Sequence, residues 1–490
     1  FVLLPSDDEA YAGQFVEGCR ASGIPTEELS AAAAHRREPL LAPDVKLAFA
    51  VPDGGIDGWA LMRSMAADAE ARGCRVLVRH PLVGTERSGD RITAVRVHDA
   101  VAGQDRTIGC QWVVNAAGAW AGEVGRMAGV PLTMIAGKGV MVVMASRYVR
   151  GVVNACRKPA DGDIIVPQHE VAILGTTSQQ VPSPDDISVP PADVDRMIDM
   201  CAQMVPAIAS GRVLRAFAGS RPLYKPEAAA GGDTGGSGGD TREVSRTFTV
   251  LDHASLNGLD NMFSIVGGKL TTCRQMAEAV VDRLAERMGV TEPCRTATEV
   301  MPGADHGPHR VAEPLARVER DQAYGELLCE CELVTRGQVR EAVAGGLTEL
   351  EDLRRKLRVG YGPCQAAFCA WRAAGMLAEA REGSGEPQGG APVGREGSGE
   401  PDHPLVGLER FLEERWRGQR STIWGDQARQ ALLNHAIYRG IFDLRGKGVP
   451  DEAAAANLAP TEAGDGDPTR RVGGELVGDT EGRTSSRGGA

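Results

Sequence analysis

Four of the eleven cysteines lie in two closely spaced pairs, and their spacing indicates a metal–sulfur centre. The pairs are Cys329 with Cys331, and Cys364 with Cys369. A stretch of 32 residues separates the two pairs. Gly360, Gly362 and Pro363 precede the second pair and would allow the chain to return close to the first pair. Because a core of two irons and two sulfides needs four thiolates around one compact centre, the four cysteines are predicted to bind an iron–sulfur cluster.

Zinc, disulfides and unrelated structural cysteines are weaker interpretations of this pattern. Zinc sites usually have about two to four residues between paired cysteines, so a single intervening residue is unusual there. Disulfides would be out of place in a cytosolic chain, and four unrelated buried thiols would not explain the pairing. The spacing resembles the bacterioferritin-associated ferredoxin-like (BFD-like) [2Fe-2S] domain, in the variant within flavoenzymes that has four residues between the last two cysteines.

Two stretches upstream predict a flavin site, because an iron–sulfur centre moves single electrons and needs another group for substrate chemistry. The first, "WVVNAAGAWA", is an apolar strand that ends in small residues, and the second, "FSIVGGKLTT", leads from a strand through two glycines into a helix. Taken singly, each is more often a packing junction of an α/β core. The candidate flavin-binding residues are Asn115, Ala116, Ala117, Gly118, Gly267, Gly268, Lys269, Leu270, Thr271 and Thr272.

Three basic residues are candidates for the substrate site. Arg221 lies in "FAGSRPL", Arg246 lies in "EVSRTFTV", and Lys269 follows the two glycines. Guanidinium and ammonium groups that converge in this way bind phosphate well, although an arginine before proline is usually a surface ion-pair partner. His169 and His253 are candidate bases, but each is expected to be a solvated loop histidine. The sequence does not identify the base.

Composition and patterning set the domain organisation. The chain of 490 residues carries a net charge of −12, which gives no basic footprint for nucleic acid. It has no apolar run of about 18 residues and no basic signal-peptide start, so we expect a cytosolic protein. Mixed strands and helices fill residues 1–300, including helices over 10–22 and 60–72, the second capped by Asp57, and a strand over 75–83. Short helices follow over 325–378, then a low-complexity linker over 379–404, a helical segment over 405–445 and a disordered tail over 446–490.

In this order the motifs resemble one family, the large (A) subunit of anaerobic, quinone-linked glycerol-3-phosphate dehydrogenase. The resemblance covers residue 1 to about residue 445 and includes "VPDGGID", "ILGTTS", "AGSRPL", "GGKLTT", "CECE" and "FLEERWRGQRSTIWGD". It implies an α/β FAD-dependent oxidoreductase fold with a mixed α+β substrate domain, N-terminally incomplete. A small helical [2Fe-2S] domain and a C-terminal helical segment would follow.

The resemblance also implies a function. FAD would be bound noncovalently, and sn-glycerol 3-phosphate would be oxidised to dihydroxyacetone phosphate. Arg221 and Lys269 would contact the substrate phosphate and the flavin, and Arg246 is a lesser candidate for the same phosphate. The partners would be a second, small flavin subunit together with a membrane-anchoring iron–sulfur subunit that passes electrons to quinone. The chain would then lie peripherally on the inner face of the plasma membrane.

Two other functions are compatible with the sequence. An amino-acid or opine oxidase or dehydrogenase subunit would pair a related flavin domain with a similar cluster. A non-enzymatic electron-transfer module would use only the cysteine domain. The arginines and the lysine that suit a phosphate favour glycerol 3-phosphate over amino acids and opines.

One motif typical of such flavoenzymes is missing from the sequence. A strand–GxGxxG–helix unit normally binds the FAD pyrophosphate, and the chain contains no G-x-G-x-x-G. We therefore expect the first residues to correspond to a point inside the flavin domain, after a βαβ unit of at least ~30 residues. Exposed apolar helix faces are expected where that unit would pack.

The missing glycine-rich unit predicts that this chain alone binds FAD poorly or not at all. The measurement is the flavin absorbance of the purified chain after incubation with FAD and removal of the free cofactor. A stoichiometric flavin signal would contradict the prediction.

Overall fold

The computed structural model describes most of the chain up to residue 441. The described residues are 1–100, 102–226, 241–242, 244, 247–303, 312–322, 325–347, 349–383, 406–423 and 425–441. Arg246, the linker from residue 384 onwards and the predicted tail lie outside them. Below, residues 1–303 are called the flavin region and residues 325–441 the cluster region.

A six-stranded sheet forms the centre of the flavin region. Its two longest strands, β8 and β13, pair antiparallel, from Met134 opposite Tyr224 to Met144 opposite Val213. The other edge of β8 pairs with β11 and β12, and β11 leads on to β10 and β9. The strands are β8 (Met134–Met144), β9 (Val153–Asn154), β10 (Ile164–Gln168), β11 (Val171–Gly175), β12 (Gln179–Val181) and β13 (Val213–Tyr224).

Helix α5 (Pro191–Ala202) covers this sheet, and its sequence shows why. Its buried residues recur at helical spacing, so one apolar face points at the strands. They are Val194, Met197, Ile198 and Cys201. The same core includes Val2 and Leu29 from a small sheet at the start of the chain. That sheet has the order β1–β3–β2, with β1 (Val2–Leu3), β2 (Glu27–Ser30) and β3 (Leu47–Ala50), and it carries α1 (Glu9–Ala21) and α2 (Ala31–Arg37).

Two further sheets complete the flavin region. One is an antiparallel sheet of β4 (Leu82–Ser88), β5 (Arg91–Asp99) and β6 (Gln104–Gly109). In the other, β15 (Met262–Gly267) lies between β14 (Phe248–Asp252) and β7 (Val113–Asn115), and it is parallel to β7. The helices that pack on them are α4 (Ala121–Met127), α6 (His253–Asn257) and α7 (Cys273–Met288), and the flavin region also contains α3 (Gly58–Ala71).

The predicted first helices are confirmed within two residues. The Asp57 carboxylate caps α3 by accepting hydrogen bonds from the Trp59 and Ala60 amides. No residue of α3 is buried, and Trp59 and Met62 are more than 40% exposed. Val281 and Met288 on α7 are similarly exposed. Large apolar side chains are therefore exposed on both α3 and α7.

The strand predicted over residues 75–83 is wrong. Only its last two residues are extended in a sheet, because β4 begins at Leu82. Arg79 adopts the left-handed conformation with φ 60°, and Pro81 has no amide hydrogen to donate to a neighbouring strand. The alternating apolar pattern therefore leads to exposed side chains, with Val78 69% exposed.

The cluster region has its own core. A short β-ribbon and helices α9 to α12 bury Leu328, Val339, Leu353 and Phe411. Thr335 and Gln338 form the capping box of α9. The elements are β16 (Leu327–Cys329), β17 (Val334–Thr335), α9 (Arg336–Ala344), α10 (Leu350–Leu357), α11 (Cys369–Gly383), α12 (Val406–Gln419) and α13 (Gly425–Ile441); α8 (Ala312–Arg320) precedes them.

Within the cluster region, the C-terminal helical segment packs directly on the preceding helices. Leu408, Phe411 and Leu412 of α12 belong to the same core as α10 and α11. Helix α12 also contacts β13 and so joins the two regions. Helix α11 continues to Gly383, past the predicted boundary at residue 378. Among the described helices, none combines the length and the apolar character required to cross a bilayer.

Candidate functional site

The tertiary structure brings the four paired cysteines into one ring of sulfur atoms. The Sγ atoms of Cys329 and Cys331 are 3.8 Å apart, and those of Cys331 and Cys364 are also 3.8 Å apart. Cys369 contacts Cys329 and Cys364 and closes the ring. All four thiols are free, since a disulfide requires about 2.05 Å between sulfurs. Four free thiols that meet at one place match the number and type of donors that a [2Fe-2S] core takes.

The thiols of this ring share protons, and this sharing separates their pKa values. Hydrogen bonds from Cys331 and Cys369 lower the pKa of Cys329 to about 3 and that of Cys364 to about 2. The same hydrogen bonds, and then burial, raise the pKa of Cys331 and Cys369. Because cluster ligands are thiolates, iron binding would release the protons of the second pair.

Backbone amides around the ring stabilise the thiolates. Gln365 and Ala366 follow Cys364 in successive left-handed conformations, with φ 50° and 65°. Such a turn points successive amide hydrogens into one concavity, which suits an anion. The amides that hydrogen-bond to Cys329 and Cys364 are those of Glu332, Gly360, Ala366 and Ala367. These donors lie in turns and not in the first turn of a helix.

The glycines before the second pair are needed for the close approach, as predicted. A Cβ atom on Gly362 would lie 2.5 Å from the Cys331 Sγ atom. A Cβ atom on Gly360, which has φ 82°, would lie 2.5 Å from the Ala366 Cβ atom. Both positions therefore require glycine for the ring to close.

The candidate flavin residues meet at one sheet edge. Strands β7 and β15 are parallel, so Asn115 and Gly267 end them at the same edge, where α/β proteins bind their ligands. The Asn115 side chain donates to the Ala121 carbonyl at 3.0 Å and accepts from the Ala117 amide at 3.2 Å, which fixes the turn. Gly267 and Gly268 have φ 76° and 74°, and a Cβ atom on either would lie 2.3 Å from a neighbouring atom. Both positions therefore require glycine, because the backbone packs closely against Thr247 and Met276.

The structure holds Arg221 rigidly on β13. Its guanidinium donates to the Thr176 hydroxyl at 2.6 Å and to the Thr177 carbonyl at 2.9 Å. It also donates to the Gly137 and Lys138 carbonyls, at 3.4 and 3.2 Å. A Cβ atom at position 139 would lie 2.5 Å from this guanidinium, so the glycine there makes room for it.

Lys269 lies between β15 and α7 with an exposed side chain. Its amide donates to the Thr272 hydroxyl at 3.0 Å, and this hydroxyl donates to the Lys269 carbonyl at 2.9 Å. Strand β13, which carries Arg221, contacts β15, which leads to Lys269.

Two basic residues near Arg221 were not predicted. Lys138 is 3% exposed, and its Nζ atom lies 3.4 Å from the Ser188 hydroxyl and 3.9 Å from the Asp186 carboxylate. Its position between two glycines was the available signal. Arg242 pairs with Asp161 and donates to the Thr176 carbonyl at 3.3 Å. No sequence motif marks Arg242, whose position beside Thr176 depends on tertiary contacts.

Neither candidate base is a solvated loop histidine. His253 is fully buried, with Nδ1 2.8 Å from the Asn257 side chain and Nε2 2.8 Å from the Ser264 hydroxyl. Both ring nitrogens are therefore used in structural contacts. His169 is only 18% exposed and lies 3.0 Å from Glu332 of the cluster region.

The two sites correspond to two known domain families. The profile of the FAD dependent oxidoreductase family matches residues 1–274, and that of the BFD-like [2Fe-2S] binding domain matches residues 327–379. The protein is thus an FAD-dependent oxidoreductase with a [2Fe-2S]-binding domain. The predicted fold class and both predicted cofactors are confirmed by these matches.

Full-length relatives narrow the class. The chain is 36% identical over 469 residues to the A1 subunit of anaerobic glycerol-3-phosphate dehydrogenase from Haloferax volcanii, covering 89% of this chain and 75% of the relative. It is 33% identical over 467 residues to the A subunit from Escherichia coli K12, covering 91% and 82%. A crystal structure of the Bacillus halodurans glycerol-3-phosphate dehydrogenase with FAD has 22% identity and a TM-score of 0.46, covering 89% and 80%. The chain belongs to the family of anaerobic glycerol-3-phosphate dehydrogenase A subunits.

Gly362→Ala is expected to prevent cluster assembly, because the new methyl group would displace the Cys331 sulfur. Iron and sulfide in the anaerobically purified chain should fall by about half or more, as expected for an overpacked site. Gly375→Ala in α11 is the matched control, since a Cβ atom there has no atom within 4 Å. Equal iron and sulfide in both variants would contradict the assigned role of Gly362.

Proposed function

We propose that this chain is the catalytic subunit that oxidises sn-glycerol 3-phosphate to dihydroxyacetone phosphate. The electrons removed from the substrate leave through FAD and the [2Fe-2S] cluster, and partner subunits pass them to membrane quinone. The observation that carries the proposal is that one chain contains both the sheet edge where the parallel strands β7 and β15 end and a ring of four cysteine sulfurs. This chain is 33–36% identical to two proteins named for this activity.

The proposed chemistry removes two electrons from the substrate and releases them singly. The C2–H bond breaks as hydride transfer and the C2 hydroxyl loses its proton, which leaves the ketone. Bound FAD supplies the two-electron acceptor, and the cluster supplies one-electron transfer. The chain's own residues must then hold the phosphate and orient C2 toward the flavin site.

Arg221, Lys269 and Arg246 are proposed to hold the substrate phosphate. The contacts of Arg221 with Thr176 and Thr177 support this role, because they fix the guanidinium before substrate arrives. Lys269 is exposed at the edge where β15 ends, so its ammonium group can reach a ligand there. Arg246 lies outside the described residues and is proposed from its sequence motif.

The flavin is proposed to lie along the carboxyl edge of β7 and β15. The left-handed turn at Gly267 and Gly268, where β15 ends, supports this placement, as does the turn fixed by Asn115. The remaining contacts are proposed for Ala116, Ala117, Gly118, Lys269, Leu270, Thr271 and Thr272. The cluster ligands are proposed to be Cys329, Cys331, Cys364 and Cys369.

The chain is also proposed to work within a larger assembly. The relatives are named as the A and A1 subunits of their enzymes, which supports the presence of further subunits. We propose a second flavin subunit together with a membrane-anchoring iron–sulfur subunit that reduces quinone. The chain would then be cytoplasmic and peripheral at the inner face of the plasma membrane.

The direct test is an anaerobic assay of the full chain with its cluster, added FAD and an artificial electron acceptor. In whatever fraction of the chain binds FAD, glycerol 3-phosphate should reduce the acceptor with formation of dihydroxyacetone phosphate, while proline and opines should not. Reduction by proline or an opine alone would replace the proposal with an amino-acid or opine dehydrogenase. No reduction by any of them, with FAD bound and the cluster intact, would indicate an electron-transfer module.

Lys269→Gln tests the proposed phosphate contact. The KM for glycerol 3-phosphate should rise by about 10- to 100-fold, because a hydrogen bond to a charged group contributes about 1.5–3 kcal/mol. Lys46→Gln is the matched control, since Lys46 pairs with Glu9 on the surface and should leave KM unchanged. An unchanged KM in Lys269→Gln would remove Lys269 from the phosphate site.

A further inference from the structure

One buried carboxylate joins the cluster region to the flavin region. Glu332 directly follows Cys331, and its side chain is only 1% exposed. Its Oε2 atom lies 3.0 Å from Nδ1 of His169, in the turn between β10 and β11, and 3.1 Å from Nε of Arg358, at the end of α10. Because a carboxylate only accepts hydrogen bonds, Nδ1 of His169 must carry the proton of that contact.

Arg358 extends the contact to helix α3. Its Nη1 atom lies 3.6 Å from Oδ2 of Asp57, the residue that caps α3. The guanidinium also lies over the Tyr361 ring, with Cζ 5.2 Å from the ring centroid. One turn earlier in α10, Arg355 lies over the Trp59 ring at 5.0 Å. The end of α10 therefore contacts α3 at two neighbouring points.

The backbone at this contact is held in an unfavourable conformation. His169 has φ 52° and Arg358 has φ 62°, a left-handed region that residues other than glycine rarely adopt. Arg358 follows α10 at the position where glycine usually ends a helix. Such strain persists only where surrounding contacts fix it, and it concentrates at sites with a function.

We propose that Glu332 is a positioning residue, which fixes the Cys329–Cys331 turn against the flavin region through His169 and Arg358. Glu332 is the next residue after the proposed cluster ligand Cys331, so its contact with His169 acts one residue away from that ligand. Helix α12 contacts β13 through other residues and keeps the two regions together. Glu332 therefore controls only the local placement of the Cys329–Cys331 turn.

Amide hydrogen exchange of the full, cluster-loaded chain tests this placement without any enzyme assay. In Glu332→Gln, exchange should become about tenfold faster or more in the β10–β11 turn and in the first turn of α3, because a buried charged contact is lost. Both segments belong to the flavin region. In the rest of the flavin region, far from the contact, amide exchange should not change.

Glu330→Gln is the matched control for the lost charge. Glu330 is the other neighbour of Cys331, but it pairs with Arg372 within the cluster region, and its side chain is 60% exposed. Exchange in the β10–β11 turn and α3 should therefore match that of the parent chain. Equal acceleration in Glu330→Gln and Glu332→Gln would overturn the proposal, since charge near the cluster would then explain both results.

His169→Asn tests the same contact from the flavin side, away from the cysteines. Asparagine tolerates the left-handed conformation, so the variant removes the contact and keeps the turn. It should accelerate exchange in the β16–β17 segment and retain its iron and sulfide. If Glu332→Gln loses its cluster, its exchange data no longer isolate the contact, and His169→Asn then provides the test. Parent-like exchange in His169→Asn would overturn the proposal.

The redox consequence rests on the proposed function. With FAD bound, glycerol 3-phosphate should bleach the flavin absorbance at the parent rate in Glu332→Gln, while cluster reduction slows by about tenfold or more, because small displacements of reacting centres are costly. Unslowed cluster reduction would overturn the redox role of Glu332. Failure of glycerol 3-phosphate to reduce the flavin would instead contradict the proposed function, and the exchange experiment would still test the placement.

Discussion

The cluster region depends on one electrostatic constraint, which is that four thiols must share a small space. In the ring the Cys329 and Cys364 thiols ionise readily, and their neighbours Cys331 and Cys369 do so only with difficulty. Two bound iron ions would remove this conflict, because their positive charge would stabilise all four thiolates. The glycine at 362, the left-handed loop after Cys364 and the amides directed at the ring all serve the same requirement.

The flavin region solves a different problem, which is to bring distant backbone segments to one edge. The parallel pairing of β7 with β15 does this for two stretches about 150 residues apart in sequence, because the carboxyl ends of parallel strands meet on the same side. The sheet of β8 and β13 supplies the rigid platform beside them, and it holds the Arg221 guanidinium between backbone acceptors. Positive charge is thereby fixed near the proposed phosphate site.

Two-electron chemistry at one site and one-electron transfer at another require a constant distance between the sites. Among the described residues, the two regions are in contact at α12 on β13, at α10 on α3, and at Glu332, which lies between His169 and Arg358. The Glu332 contact begins one residue from a proposed cluster ligand. A buried carboxylate at this position stabilises the structure only while both of its partners stay in hydrogen-bonding geometry, because an unpaired buried charge is strongly destabilising.

The sequence by itself determined the cofactor chemistry and the local structure. Cysteine spacing is a covalent property, so the sequence could predict a cluster and propose its ligands. Side-chain caps such as Asp57 act within one turn, so helix starts could be predicted too. Tertiary structure decided what depends on distant partners. Residues 75–81 alternate like a strand but are not in a sheet, His253 is buried, and His169 meets Glu332 across 163 positions. Burial and pairing of this kind arise only when separate elements pack, and no local pattern encodes them.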